Sequence, residues 1–184
     1  MNRAATSKEE ILNICRQMVM NEGISSVNMR NVAKACQVAV GCLYNYFPSK
    51  ADLLRETVES VWTDIFHMDN MPKFCGFTEC LLWLYENIHS GGNKYPGFFN
   101  VHSINFAAQD KEEGRRMMEH YFGHMKKQLL CELQKDSAVR EGIFGGGLTK
   151  EKFVDFIFTL LMSELLKENG DGKALGEFVK HYIY

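Results

Sequence analysis

The polar residues with the clearest chemistry lie near the N-terminus, where helical patterns begin. Asn28 and Arg30 open one such pattern, and Lys50 lies in the first turn of another. The start of a helix presents unpaired N–H groups and the positive end of its dipole, so it attracts phosphate. A lysine there is mildly unfavourable unless an anion meets it. These positions indicate phosphate binding, while Lys50 also fits an ordinary solvated surface lysine.

Aromatic and apolar residues lie between these polar positions. Tyr44 and Tyr46 are two residues apart on a short helical pattern, so their rings cannot share one helix face. With Leu43 predicted to pack inward, at least one tyrosine hydroxyl points outward, where it can contact a phosphate or a base edge. Ala39 and Val40 open this pattern and suit contacts with thymine methyl groups.

Capping residues predict the elements that position these side chains. Apolar residues spaced by three and four follow each of the candidate caps, which are Ser7 with Glu10, Asn28, Ser49 with Asp52, Thr149 and Asp171. Pro48 ends the short third helix, and the run from Gly142 to Gly147 is a connection between helices. A later helix is predicted to stop at Ser90-Gly91-Gly92. The patterns predict an all-α protein of about nine helices.

Composition narrows the class of protein. Hydrophobic residues make up 46% and charged residues 24% of the 184 residues, which is typical of a globular chain. The apolar runs are too short for a membrane span, and the first residues lack a signal-peptide core, so we expect a cytoplasmic protein. The net charge is −2, yet the first 56 residues carry seven Lys and Arg against five Asp and Glu. A mildly basic segment on an acidic body fits a small DNA-binding module.

The N-terminal segment resembles the DNA-binding domain of TetR-family (tetracycline repressor-like) transcriptional regulators. The resemblance covers about the first 55 residues and rests on a capped first helix followed by Met29-Arg30-Asn31-Val32-Ala33, Gly41-x-Leu43-Tyr44-x-Tyr46-Phe47 and Lys50-x-Asp52-Leu53-Leu54. It implies a three-helix helix-turn-helix domain at residues 1–50 and a helical effector-binding and dimerisation domain at 51–184. It also implies a repressor, released from a palindromic operator by a small apolar or aromatic effector.

The resemblance assigns roles to individual residues. Phosphate contacts fall to Asn28, Arg30, Tyr44 and Lys50, and the major groove is faced by Ala39, Val40, Gly41 and Cys42. Three departures from the family pattern matter: Gln37 replaces the usual turn glycine, Ala39 the usual capping serine, and Val40 and Cys42 the usual polar residues. Gln37 costs up to about 1 kcal/mol if its backbone is left-handed. With few donors on this helix, specificity is expected to depend on thymine methyls and DNA shape.

The body carries two further sets of candidate residues. An aromatic-rich region supplies candidates for an effector pocket, with His102 as polar anchor: Trp62, Phe66, Trp83, Phe99, His102, Phe106, Met118 and Tyr121. Each of them also fits an ordinary core position. Two apolar helices at the chain end could pair with a second copy into a four-helix interface through Phe153, Ile157, Leu160, Leu161, Leu165, Phe178 and Tyr182.

Other signals are weaker. His120 and His124 have a spacing that can hold a metal, but no cysteine or acidic residue completes the set, so no metal site and no cofactor are expected. The six cysteines form no CxxC pair and fit reduced structural thiols. A helical enzyme is an alternative function, but no nucleophile elbow, phosphate loop or acid pair is present, so the chain is not expected to be one. A DNA-binding architectural factor without ligand is the other alternative.

Overall fold

The computed structural model describes residues 7–66, 72–98, 111–167 and 169–184. These ranges contain eight α-helices: α1 (Lys8–Glu22), α2 (Met29–Cys36), α3 (Val40–Tyr44), α4 (Lys50–Phe66), α5 (Phe77–Lys94), α6 (Lys111–Lys135), α7 (Lys150–Leu165) and α8 (Gly172–Ile183). A short 3₁₀ turn occupies Ile24–Ser26, and an isolated bridge joins Gly145 to Leu148. No β-strand is present in the described ranges, so the all-α prediction is confirmed. The ninth predicted helix, near Phe98–Ala108, falls largely outside them.

Local capping explains where the helices begin. Ser7 accepts a hydrogen bond from the backbone N–H of Glu10, whose carboxylate accepts one from the backbone N–H of Ser7, so the predicted capping box of α1 is complete. The side chains of Asn28, Thr149 and Asp171 accept hydrogen bonds from backbone N–H groups in the first turns of α2, α7 and α8, without the reciprocal bond of a capping box. None of the described helices has the length and apolar character needed to cross a bilayer.

The chain divides into two compact units, the first of which comprises Met1–Asp69 and Ser90–Met118. In this unit α1 packs against α2 and α4, and α2 packs against α3. The predicted apolar stripes of these helices are buried, including Cys15 on α1 and Val61 on α4. The predicted division into residues 1–50 and 51–184 is a functional one and stays a prediction.

A polar network also lies in the first unit. The Asp64 carboxylate on α4 accepts hydrogen bonds from the Lys94 ammonium at 2.6 Å and the buried Tyr95 hydroxyl at 2.7 Å. Burial raises the pKa of Asp64, but these two donors, with the nearby charges of Lys94 and Arg16, outweigh it and hold that pKa below its ordinary value. Burial and the hydrogen bond to Asp64 also raise the pKa of Tyr95.

The prediction that a helix stops at Ser90-Gly91-Gly92 is wrong. Helix α5 continues to Lys94, and the backbone N–H of Tyr95 still donates to the carbonyl of Gly91 at 2.8 Å. A Cβ atom at Gly91 would lie 2.8 Å from Cγ1 of Ile65. The glycine therefore permits close packing against α4 rather than ending the helix.

The second unit comprises Asn70–His89 and Glu119–Tyr184. Here α7 packs against α8, and Phe153 on α7 lies between Phe77, with ring centroids 5.8 Å apart, and Tyr182, at 5.5 Å. Asp136 accepts hydrogen bonds from the backbone N–H of Phe77 at 2.8 Å and from the hydroxyl of Tyr184 at 2.5 Å. These contacts join the start of α5 to the end of the chain.

Candidate nucleic-acid interface

Helices α2 and α3 are joined by a tight turn with a left-handed residue at its centre. Gln37 has φ 59° and ψ 38° and is the one described non-glycine residue with a positive φ. Its N–H donates to the carbonyl of Lys34 at 3.2 Å, and the N–H of Val38 donates to that of Ala33 at 3.0 Å. These two bonds form a Schellman motif, in which the left-handed residue is usually glycine. The sequence analysis predicted a free-energy cost at Gln37 only if its backbone is left-handed, and the structure shows that it is.

Buried residues hold α3 against its neighbours. Leu43 and Phe47 are completely buried, and the ammonium of Lys8 on α1 lies 5.5 Å from the Phe47 ring centroid. Cys36 on α2 is also buried, and burial raises the pKa of its thiol. Burial likewise raises the pKa of Cys15 to about 11. Both cysteines therefore act as small hydrophobic residues, as expected for structural thiols.

The opposite side of α3 is exposed and rich in carbon. Ala39, Gly41 and Cys42 are exposed, Val40 is 37% exposed, and Tyr44 is 52% exposed. Ala39 makes no side-chain capping bond to α3. The hydroxyl of Tyr44 and the thiol of Cys42 are thus the polar side-chain groups among these five residues. The structure places all five predicted contact residues of this helix at the surface.

The side chain of Asn28 is occupied by the protein itself. Its amide oxygen accepts hydrogen bonds from the backbone N–H groups of Arg30 at 3.1 Å and Asn31 at 3.0 Å, and its amide nitrogen donates to the carbonyl of Ser26 at 3.3 Å. Asn28 therefore holds the first turn of α2, and with it the backbone position from which the exposed side chain of Arg30 extends.

Three exposed cations lie on this part of the molecule. Within the described ranges, Arg30, Lys34 and Lys50 form no ion pair. Lys34 lies one turn after Arg30 on α2, and Lys50 is the first residue of α4, where Ser49 accepts a hydrogen bond from the N–H of Asp52. Lys34 was missed from the sequence, although its i+4 spacing from Arg30 is a readable signal.

Lys8 and Arg55, two other cations of the first unit, are neutralised internally. The Lys8 ammonium lies 2.6 Å from the Glu56 carboxylate. The Arg55 guanidinium lies within 3.6 Å of Asp52, Glu56 and Glu59. Uncompensated positive charge is therefore found on α2 and at the start of α4. This arrangement has two short helices joined by a tight turn, with free cations on the helices that precede and follow α3 in the chain. Such an arrangement can dock on a duplex backbone.

Comparison with known proteins identifies this arrangement. Residues 11–57 match the family model described as bacterial regulatory proteins, tetR family. The matched residues run from α1 into α4. The chain therefore carries the helix-turn-helix DNA-binding domain of TetR-family transcriptional regulators, as the resemblance in the sequence predicted. No curated protein matches the sequence significantly.

Solved structures show a likeness of fold over nearly the whole chain. The reduced form of NemR from E. coli has a TM-score of 0.64 at 14% identity, covering 96% of this chain and 97% of that chain. A protein from Rhodococcus sp. assigned to the TetR-family transcriptional regulators has a TM-score of 0.60 at 12% identity, covering 95% and 96%. At these identities the likeness establishes the fold.

The predicted effector residues of this chain are divided between the two units. Trp62 and Phe66 on α4 are buried and stacked, with ring centroids 5.5 Å apart. Phe98, which the sequence did not single out, meets the Trp62 ring edge-on at 5.6 Å. Trp83 and Tyr121 belong to the second unit. Outside the description lie Phe99, His102, Phe106 and the side chain of Met118.

The predicted dimer residues also separate into two groups. Phe153, Ile157 and Leu161 are buried within their own unit, and Leu165 is half-buried. Leu160, Phe178 and Tyr182 are exposed. Phe156 was missed, although it is 60% exposed and its i+4 spacing to Leu160 places both on one face of α7. Phe178 and Tyr182 have the same spacing on α8.

Proposed function

We propose that this chain is a homodimeric repressor of the TetR family that binds a palindromic operator and is released by a small apolar or aromatic effector. The observation that carries the DNA part is the set of exposed cations without ion pairs, Arg30, Lys34 and Lys50, on the helices before and after α3. Cations without internal partners are available to replace the counterions of DNA phosphates.

Each residue of the proposed interface has a distinct role. Arg30, Lys50 and the Tyr44 hydroxyl contact phosphates, which fixes the position of α3 on the duplex. Asn28 contributes by holding the first turn of α2, because its side chain is already bonded at both ends. The major groove is faced by the exposed residues at the start of α3, namely Ala39, Val40, Gly41 and Cys42. Their carbon atoms suit thymine methyl groups, so sequence is read largely through apolar contact and DNA shape.

Dimerisation is proposed through the exposed apolar pairs on α7 and α8. Phe156 with Leu160, and Phe178 with Tyr182, present four large side chains on two helices that pack together. Exposed apolar patches of this kind are typical of protein–protein interfaces. Two copies of the helix pair would bury them in a four-helix arrangement with two-fold symmetry, which matches a palindromic DNA site.

Exchange of one apolar side chain for a charge tests this surface. Phe178→Asp is expected to convert dimer to monomer in sedimentation velocity at micromolar concentration, since a carboxylate would be buried against apolar groups. Met20→Asp is the matched control, because Met20 is an exposed apolar residue of α1. A Phe178→Asp protein that remained dimeric would place the interface elsewhere.

Effector control is proposed to act through α4. This helix carries Lys50 at its first residue and the stacked pair Trp62 and Phe66 in its last turns. Its 17 residues span about 25 Å at 1.5 Å per residue. A ligand that displaces these rings would move α4 and change the separation of the two reading helices. Half-sites lie about one helical turn apart, so a shift of a few Å prevents both from docking.

Selection from a random pool of duplex DNA tests the proposed function at a stated salt concentration. Enrichment of a palindrome with half-sites about one turn apart is expected. If no sequence is enriched, the proposal of a repressor with a specific operator fails, and a DNA-binding architectural factor is favoured. The Phe178→Asp monomer serves as control, because it should lose the enrichment of paired half-sites.

A fluorescence assay tests the effector part separately. The chain has two tryptophans, so Trp83→Phe leaves Trp62 as the reporter of ligands near α4. An aromatic or apolar compound that quenches Trp62 is expected to weaken operator binding in the same concentration range. Binding that left operator affinity unchanged would refute the α4 mechanism.

A further inference from the structure

Two histidines on α6, in the second unit, lie close enough to each other to act together. His120 and His124 are both exposed, and their Nε2 atoms are 3.2 Å apart. The two ring centroids are separated by 4.5 Å and the ring planes are inclined at 76°. The i,i+4 spacing therefore brings the same nitrogen of each ring to a common point at the protein surface.

This separation matches that of two ligands on one metal ion. Imidazole nitrogens lie about 2.0–2.1 Å from a bound Zn²⁺. Two such nitrogens that subtend between 90° and 109° at the ion are therefore about 2.9–3.3 Å apart. The observed 3.2 Å lies within this range. The separation of the two nitrogens therefore need not change for both to bind one ion.

The surroundings leave room for the ion and its remaining ligands. A Cβ atom added at Gly123, between the two histidines, would have no atom within 4 Å. In the described part of the chain, no third His, Cys, Asp or Glu joins the pair. Water would therefore complete the coordination shell. Lys127 is exposed one turn beyond His124, and its positive charge opposes binding.

We propose that His120 and His124 form a surface site for a divalent transition-metal ion of the nickel, copper or zinc class. Two imidazoles favour these ions over Ca²⁺ and Mg²⁺, which prefer oxygen ligands. The sequence predicted no metal site, because no cysteine or acidic residue completes the set with His120 and His124. A site with two protein ligands and bound water needs no such partner.

Calorimetric titration of the full chain with Ni²⁺ alone tests the site. Ni²⁺ is preferred to copper because the exposed thiols of Cys42 and Cys75 compete for soft copper ions. The wild type is expected to bind one Ni²⁺ per chain at this site in the micromolar range. His120→Ala and His124→Ala should each weaken that binding by at least about tenfold, since even loss of a group that only supports a ligand costs that much.

The control is His181→Ala, which removes an exposed histidine of α8 that has no histidine partner. It should leave the titration unchanged. Paramagnetic broadening of the His120 and His124 ring resonances by Ni²⁺ would locate the ion directly. Equal Ni²⁺ binding by wild type and both alanine variants would overturn the proposal. So would absence of saturable binding, since the 3.2 Å contact would then be a hydrogen bond between the two rings.

Discussion

The left-handed backbone of Gln37 lowers the free energy of unfolding by an amount that a single substitution can measure. Its backbone is left-handed, with φ 59° and ψ 38°, and this conformation costs a residue with a Cβ atom roughly 1–2 kcal/mol. Its side chain is exposed, so Gln37→Gly removes no buried contact. Glycine gives back about 0.4–1 kcal/mol through greater freedom of the unfolded chain. The net expectation is a gain of about 0.5–1 kcal/mol in the free energy of unfolding.

Thermal and urea unfolding measure this difference. For a chain of this length, 1 kcal/mol corresponds to a shift of about 2–4 °C in Tm, so Gln37→Gly should raise Tm by about 1–4 °C. Gln37→Ala is the matched control, because alanine shortens the side chain but keeps the left-handed strain. It should not raise Tm. Gln37→Asn should fall between them, since asparagine tolerates this backbone better than most residues.

One pattern of results would refute the reasoning. If glycine and alanine gave the same stability, the left-handed backbone would carry no measurable cost, and the strain assigned to the turn would be wrong. A fall in Tm with glycine would mean that the Gln37 side chain stabilises the turn through a contact of its own.

Three further predictions concern charge, packing and pH. Lys50→Ala should reduce the slope of log K for DNA against log salt by about 1.8 for a dimer, at about 0.9 per lost phosphate contact, whereas Lys8→Ala should not; equal slopes would exclude Lys50 from the interface. Gly91→Ala should destabilise by about 1–3 kcal/mol through its clash with α4, while Gly123→Ala on α6, which has open space, should stabilise by up to about 1 kcal/mol; the opposite order in urea unfolding would contradict the packing assigned to Gly91. Asp64 has a depressed pKa, so its stabilising contribution is present at neutral pH and is lost as pH falls through the folded-state pKa. Asp64→Asn should flatten the loss of stability below about pH 4, and an unchanged acid limb would argue against it.

Helix starts could be predicted because their causes are local. Ser7 and Glu10, three residues apart, satisfy each other's backbone groups without reference to the rest of the chain. The course of α5 could not be predicted in this way. Whether Gly91 ends a helix or admits a neighbour depends on Ile65, which is distant in sequence. The local pattern predicts that the helix ends at the glycine, but packing against Ile65 lets it continue through Gly91.

The candidate interface shows the same limit. The exposure of Tyr44 and the burial of Leu43 follow from helical spacing and were predictable. Which cations remain free was not, because the Lys8–Glu56 pair joins residues on two different helices. On α7, the apolar stripe of Phe153, Ile157 and Leu161 is buried in the core of its own unit. The neighbouring stripe with Phe156 is exposed. Helical spacing alone does not tell which of the two stripes will be buried.

The carbon-rich side of α3 has a consequence for the chemistry of the DNA itself. If Val40 and its neighbours recognise thymine through its C5 methyl group, the recognised feature is that methyl group rather than the base pair. Uracil pairs as thymine does but lacks the methyl, and 5-methylcytosine carries it on a different base. An operator synthesised with uracil would then lose the contact, and a methylated cytosine could restore it. Such a reading helix would respond to the methylation state of the DNA as well as to its sequence.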